Sequence, residues 1–233
     1  MEKAIVTGAS SGIGAAIASA LLRRGMEVYG IGRDFQKQEE LVKNPSFHAV
    51  VCDLRKHSDV ERTVSDIRSS AGHIAVLVNS AGAGYFGPHE QISPSKIHDM
   101  VSVNIEAPMI IAGLLLRDMK KNRGFIINIS SVTAKKSNTY GCAYGATKAA
   151  LTSFGESLFD EARKYGVKVL NIHPDMTESA FYRNADFTSC DEEDLRLLPG
   201  EIAQCVMAAL DMREGAVVTD ITVKPQRHGI KRK

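Results

Sequence analysis

The stretch "KAIVTGASSGIG", residues 3 to 14, decides the fold. Its first five residues form a short apolar run rich in branched side chains, as a strand buried on both faces requires. Beyond them Ile13, Ile17, Ala20 and Leu21 recur at helical spacing and read as a core-facing stripe. Between strand and helix lies "TGASSGIG", Thr7 to Gly14. Glycine lets a backbone turn sharply and approach a pyrophosphate closely, while a helix start offers free N–H groups and a positive dipole end. The predicted use is a phosphate cradle, with a merely structural turn as the alternative. The spacing Gly8-x-x-x-Gly12-x-Gly14 differs from G-x-G-x-x-G and lacks the lysine of a P-loop, which points away from phosphoryl transfer.

The strand-then-helix rhythm continues down the chain. "MEVYGIG", "FHAVVC" and "IAVLV" are each followed by a helical pattern, and "GFIINIS", "VKVLNI" and "AVVTDI" complete a set of seven strands. This predicts an α/β fold: a doubly wound, seven-stranded, mostly parallel sheet of the Rossmann type, with helices on both faces. With no repeat or linker evident, residues 1–233 read as a single domain. The one long irregular stretch, from about Pro174 to Leu198, follows the sixth strand at the end of the sheet where such folds bind ligands.

Composition narrows the function classes. A chain that is 44% hydrophobic and 24% charged has no call for long disorder, and a net charge of +2 gives no case for nucleic acid. The basic end, "RHGIKRK", reads as a solvated tail and is assigned no function. The four cysteines form no C-x-x-C pair and no metal-ligand spacing with a histidine, which fits a reducing compartment, and nothing asks for a metal. The uncharged segment from Ala4 to Leu22 is diluted by Thr7, Ser10, Ser11 and three glycines, and "PMIIAGLLL" is far too short to span a bilayer. No membrane partner and a cytoplasmic location are expected.

The end of the second strand bears on which nucleotide is bound. NAD enzymes generally place an acid there, facing the ribose hydroxyls. Here that position is Gly32, and the guanidinium of Arg33 beside it could pair with a 2′-phosphate. NADP(H) is therefore predicted over NAD(H), with a solvated arginine neutralised by Asp34 as the alternative.

Further motifs follow at "CDL" (52–54), "NSAG" (79–82), Asn104, "NISS" (128–131) and "YGATK" (144–148). In this order, behind this glycine loop, they resemble the short-chain dehydrogenase/reductase family over nearly the whole chain. The chemistry explains the residue types. Reducing a carbonyl by hydride requires a proton for the developing alkoxide. A free tyrosine, with a pKa of about 10, is too weak an acid to work efficiently in both directions near neutrality. A lysine one helical turn away favours the phenolate by its charge. The resemblance implies that Tyr144 is the general acid/base and that Lys148 lowers its pKa and holds the nicotinamide ribose. Ser130 and Ser131 are neighbours at a strand end and point to opposite sides. The thirteen-residue spacing to Tyr144 selects Ser131, implied to hydrogen-bond the substrate oxygen. Asn104, in the long fourth helix, is implied to hold a water in a proton relay, with an asparagine tying helix to helix as the alternative.

Cofactor contacts carry over by position. Gly8, Ser10, Ser11, Gly12, Ile13 and Gly14 match the phosphate loop, and Asp53 with Leu54 matches the adenine-binding pair. Asn79, Ala81 and Gly82 match the turn beside the adenosine ribose that also steadies the sheet. Two departures stand out. "HPDMTES" puts Asp175 where the family usually has glycine, and Thr177, carried over as the carboxamide contact, lies closer to the proline than usual. The segment "TDITVKPQ" lacks a frequent glycine-rich finish.

The expected protein is an NADP-dependent oxidoreductase that interconverts a ketone or aldehyde and its alcohol, with Tyr85, Phe86, Phe181 and Tyr182 as candidate walls of the substrate site. Association as a homodimer or homotetramer is expected through the long fourth and fifth helices, which contain "PMIIAGLLL" and "AALTSFGESLF". The alternative class is a catalytically silent NAD(P)-binding regulatory protein, which would not need Asn104, Ser131, Tyr144 and Lys148 together. A nucleotide-sugar epimerase is disfavoured because there is no room for a separate sugar-binding domain.

Overall fold

A computed structural model describes all of residues 1–233. Strands β1 (Lys3–Thr7), β2 (Glu27–Gly32), β3 (Phe47–Val51), β4 (Val76–Asn79), β5 (Phe125–Ile129) and β6 (Lys168–Pro174) belong to the main sheet. A two-residue β7 (Phe187–Thr188) comes next, then β8 (Asp220–Val223) and β9 (Lys231–Arg232). The main sheet has the order β3-β2-β1-β4-β5-β6-β8 and every pairing in it is parallel. The order reverses between β1 and β4, which opens a crevice beyond the carboxyl ends of the strands.

Successive strand residues feed opposite cores, as the two-residue period demands. Val6, Val28 and Ile127 pack with Ile17 and Leu21 of α1 (Gly12–Arg23) and with Ile202 and Val206. Their neighbours Ile5, Leu77 and Ile126 pack on the other face with Val64 of α3 (His57–Ala71) and with Ile111 and Leu115. The helix after β2, α2 (Glu39–Val42), is a single turn, shorter than expected, and Pro45 blocks its extension. Helix α4 (Pro94–Val101) continues through a π-helical turn, Ser102–Glu106, into α5 (Ala107–Asn122). That continuous helix is long and apolar enough by length and composition to cross a membrane, but its Ile111, Leu115 and Met119 are fully packed against the sheet, as in a core helix.

Helix α6 (Cys142–Ala162) lies on the same face, and α7 (Pro199–Leu210) packs against α1. The seventh sheet strand starts later than expected. Ala216 closes a turn onto Arg213 O, so the ladder begins only at Asp220. Residues 174–198 are more ordered than a plain loop, with 3₁₀ turns at Ala180–Asn184 and Glu193–Leu195 around β7.

Two polar features organise this frame. Asn79, Asn128 and Asn171 occupy matched positions on β4, β5 and β6 and are buried. Asn79 Nδ2 donates to Asn128 Oδ1 at 2.9 Å, Asn128 Nδ2 to Asn171 Oδ1 at 3.0 Å, and Asn171 Nδ2 to the Thr152 carbonyl of α6 at 3.2 Å. Gly155 lets α6 lie this close: a Cβ there would fall 2.2 Å from Asn171 Oδ1.

The basic tail is the second feature, and it corrects the expectation of a free, solvated end. Its β9 pairs antiparallel with β7. Arg227 forms a two-pronged ion pair with Asp194, Lys231 Nζ lies 2.5 Å from Asp191, and Lys233 Nζ donates to Tyr182 O at 2.6 Å. The acidic run Asp191-Glu192-Glu193-Asp194 was the sequence signal for this partner.

Candidate active site

One cavity of about 870 Å³ opens at the carboxyl ends of the strands and is lined by both the glycine loop and the "YGATK" helix. The glycine loop is built for close approach. Gly8 has φ +71°, and a Cβ on it would sit 2.8 Å from Ala81 Cα. A Cβ on Gly14 would meet the Gly8 carbonyl oxygen at 2.3 Å. Thr7, overlooked in the sequence, holds the opposite turn: its Oγ1 accepts from the N–H groups of Ser80 and Ala81 at 3.0 and 3.1 Å.

All six loop residues, Gly8, Ser10, Ser11, Gly12, Ile13 and Gly14, line the cavity, as do Arg33, Asp53, Leu54, Ala81 and Gly82. Asn79 does not; it is buried in the asparagine row behind, and its part is to steady the sheet. Asp53 is held by Arg55 through three ion-paired hydrogen bonds, of 2.9, 3.2 and 2.7 Å, which keep its carboxyl well below the usual range, at about 2. A Cβ on Gly32 would lie 2.9 Å from the Ser10 side chain, which would have to shift to admit it. Arg33 is exposed and makes no ion pair; Asp34 accepts from Gln36 N at 2.8 Å instead of neutralising it.

The reacting groups converge from β5 and α6. Ser130 Oγ turns into α6, where it donates to Lys148 O at 3.0 Å and meets Thr152 Oγ1 at 2.8 Å. Ser131 turns the other way. Its Oγ accepts from Thr133 N at 3.2 Å and from Thr133 Oγ1 at 3.0 Å, and Ser131 lines the same cavity as Tyr144. Lys148 lies one helical turn after Tyr144, is 3% exposed, and donates to Ile129 O at 2.8 Å.

Burial dominates the electrostatics of both groups in the pair. Burial pushes Tyr144 well above the ordinary tyrosine value, and the Tyr182 hydroxyl adds to the rise; only the Ser131 side chain opposes it. Burial also brings Lys148 down to about 8. The cause is an aromatic cover. Phe86 and Phe181 lie 5.4 and 5.5 Å from the Tyr144 ring, and Tyr182 and Phe187 pack outside them. Tyr85 stands apart, bonded to Asp99 at 3.2 Å.

Asn104 sits in the π turn and does not line the cavity. Its amide is engaged through both atoms: Oδ1 accepts from Ala83 N at 2.8 Å, while Nδ2 donates to Ala83 O and to Thr147 Oγ1, both at 2.9 Å. The side chain therefore ties the β4 turn to α6.

After β6, Asp175 has no positive φ, so this position does not need glycine. Its N–H bonds Val223 O at 2.9 Å. Thr177 lines the cavity, but it is 3% exposed and its hydroxyl donates to Asp175 O. Ser179 faces the glycine loop more directly, with its Cβ 3.3 Å from where a Cβ on Gly12 would stand. The tail, too, reaches the cavity, through His228, Ile230 and Arg232.

This wall suits a dinucleotide. It offers a cradle that side chains would fill at Gly8 and Gly14, the unpaired guanidinium of Arg33, and a buried Ser80 hydroxyl with no protein partner.

A profile described as short chain dehydrogenase matches residues 2–188. An uncharacterized oxidoreductase of Staphylococcus epidermidis is 32% identical over 225 residues, spanning 95% of this chain and 96% of that protein. Among solved structures, an alcohol dehydrogenase from the archaeon Thermococcus sibiricus, complexed with 5-hydroxy-NADP, superimposes with a TM-score of 0.89 at 25% identity, covering 98% of this chain and 99% of that one. A 3-ketoacyl-(acyl-carrier-protein) reductase from Brucella melitensis, complexed with NADH, shares the fold with a TM-score of 0.85 at 23% identity, covering 96% and 97%.

Proposed function

The chain belongs to the short-chain dehydrogenase family and is an oxidoreductase, and from that premise we propose that it is an NADP-dependent reductase of ketones or aldehydes, working reversibly on the alcohols. The convergence of Ser131, Tyr144 and Lys148 on the cavity that the glycine loop lines carries this reading. Gly8 to Gly14 would hold the pyrophosphate, Arg33 the 2′-phosphate, Asp53 and Leu54 the adenine, and Lys148 the nicotinamide ribose. The dinucleotide, when bound, supplies or takes the hydride.

The chain's own groups do the rest. Ser131 Oγ, fixed by its two bonds from Thr133, donates to the substrate oxygen and stabilises its developing charge. Tyr144 hands its phenolic proton to that oxygen. Burial keeps the phenol protonated between turnovers, so the acid is loaded when a carbonyl arrives. Lys148, one turn away, offsets the charge left on the phenolate. The rings of Phe86 and Phe181 exclude water from the exchange.

A dimer or tetramer through α5 and α6 belongs to this reading, supported by the exposed Met109 on α5. Cytoplasmic residence is supported by four free thiols. The test is consumption of NADPH with a panel of ketones and aldehydes. Turnover that depends on Tyr144 supports the proposal. NADPH binding without any such turnover replaces it with a regulatory protein.

A further inference from the structure

His173, on β6 just before Pro174, is fully buried, and the proposed chemistry gives it no part. Its Nδ1 lies 3.2 Å from the carbonyl oxygen of Ser131, and its Nε2 lies 2.8 Å from Oδ2 of Asp220, the first residue of β8. The ring thus bridges a backbone carbonyl on one side and a carboxylate on the other. The other carboxylate oxygen of Asp220 takes Lys135 Nζ at 2.6 Å, and that ammonium also donates to Thr222 Oγ1 at 3.2 Å.

Lys135 closes the 3₁₀ turn Val132–Ala134, which Ser131 opens. Asp220 therefore grips this turn at both ends, directly at Lys135 and through His173 at Ser131. The link spans strands that do not touch, since β6 separates β5 from β8. A histidine that only filled volume would need neither acceptor.

We propose that His173, oriented by Asp220, is a positioning residue of the reaction: by holding the Ser131 carbonyl it sets where the Ser131 hydroxyl stands against Tyr144. The inference rests on the carbonyl-reductase reading for its kinetic consequence. Catalytic geometry is unforgiving, and a misplacement of about 1 Å can cost on the order of a hundredfold in rate.

Two near-isosteres separate positioning from packing. Asparagine places its amide nitrogen near the site of Nδ1, facing Ser131 O, whereas glutamine places its own near Nε2, facing Asp220. His173→Gln is expected to fall about tenfold below His173→Asn in kcat, with equal KM for NADPH. The difference should vanish in a Ser131→Ala background, where no hydroxyl remains to be placed. Equal kcat for the two variants, or a difference that persists in Ser131→Ala, overturns the proposal. Crystal structures of both variants give a reading that needs no turnover. Ser131 Oγ should keep its place in His173→Asn and shift in His173→Gln, and an unmoved Oγ in both also overturns it. A wild type without carbonyl turnover would defeat the functional reading alone.

Discussion

Lys148 Nζ stands 5.9 Å from the centre of the Tyr144 ring and donates to the carbonyl of Ile129. The two groups lie on one face of α6 with no hydrogen bond between them. Tyr144→Phe removes one hydroxyl and almost no volume. It should leave the fold and NADPH binding intact while turnover falls by about a hundredfold or more. Lys148→Met should lower both turnover and NADPH affinity, because that side chain is assigned two tasks. Titration calorimetry beside steady-state kinetics separates them; equal turnover of Tyr144→Phe and the wild type would refute the mechanism.

The same lysine gives a pH signature of stability. Its folded pKa of about 8 lies below the ordinary 10.5, so between those values the unfolded chain binds a proton that the folded chain does not. Stability therefore rises with pH across that window, by up to about 3 kcal/mol at about 1.4 kcal/mol per pKa unit. Tyr144 acts in the opposite sense. Its folded pKa is raised, so its contribution is present below about pH 10 and is lost as pH climbs beyond it. Urea unfolding of the free protein from neutral to alkaline pH should show a rise and then a fall, and Lys148→Met should abolish the rise while keeping the fall.

Arg33 carries the prediction on cofactor choice. Losing one charge-assisted contact of roughly 1.5–3 kcal/mol should weaken NADPH by on the order of ten- to a hundredfold in Arg33→Ala and leave NADH nearly unchanged. Fluorescence titration with both dinucleotides decides it. Equal weakening, or a wild type that favours NADH, counts against the 2′-phosphate assignment.

The tail ribbon should respond to salt. Its ion pairs, Arg227 with Asp194 and Lys231 with Asp191, are exposed and open to screening. In Arg227→Ala/Lys231→Ala, or at high ionic strength, the Lys233 amide that bonds Asp186 O should exchange faster with deuterium. KM for the carbonyl substrate should rise, because His228, Ile230 and Arg232 line the cavity. Unchanged exchange would mean that backbone pairing alone holds the ribbon.

Local rules sufficed wherever one short stretch decides the outcome. Six strands lie where their apolar runs predicted, because a parallel sheet buried on both faces leaves its strands no polar alternation to confuse. The glycine loop, Ser131, Tyr144 and Lys148 face one cavity because fixed spacing along a strand end and a helix turn projects them there. What escaped notice depends on partners distant in sequence. The tail looked solvated because its acidic partners at 191–194 lie some forty residues earlier than Lys231. The loop after β6 was expected beside the site with Phe181 and Tyr182 as walls, but no periodicity encodes that Phe86 and Phe181 pack against the Tyr144 ring itself. Asn104 was recognisable as a buried amide, but the groups it satisfies could not be read from spacing.

The row of Asn79, Asn128 and Asn171 has a consequence for how the chain reaches this structure. Parallel strands form late and far apart in sequence, and apolar runs such as "FIINI" and "VLNI" offer little to choose between one alignment and its neighbour. A slip by one residue would strand three amides in hydrocarbon, and each unsatisfied group costs roughly 1–3 kcal/mol. The asparagines thus act as a proofreading mark written across β4, β5 and β6. A misaligned sheet would leave these amides unpaired where Gly155 brings α6 close, so the helix that carries Tyr144 packs best on a sheet in frame. Replacing all three with apolar isosteres such as leucine should relax that check, and the cost would appear as slow or heterogeneous refolding.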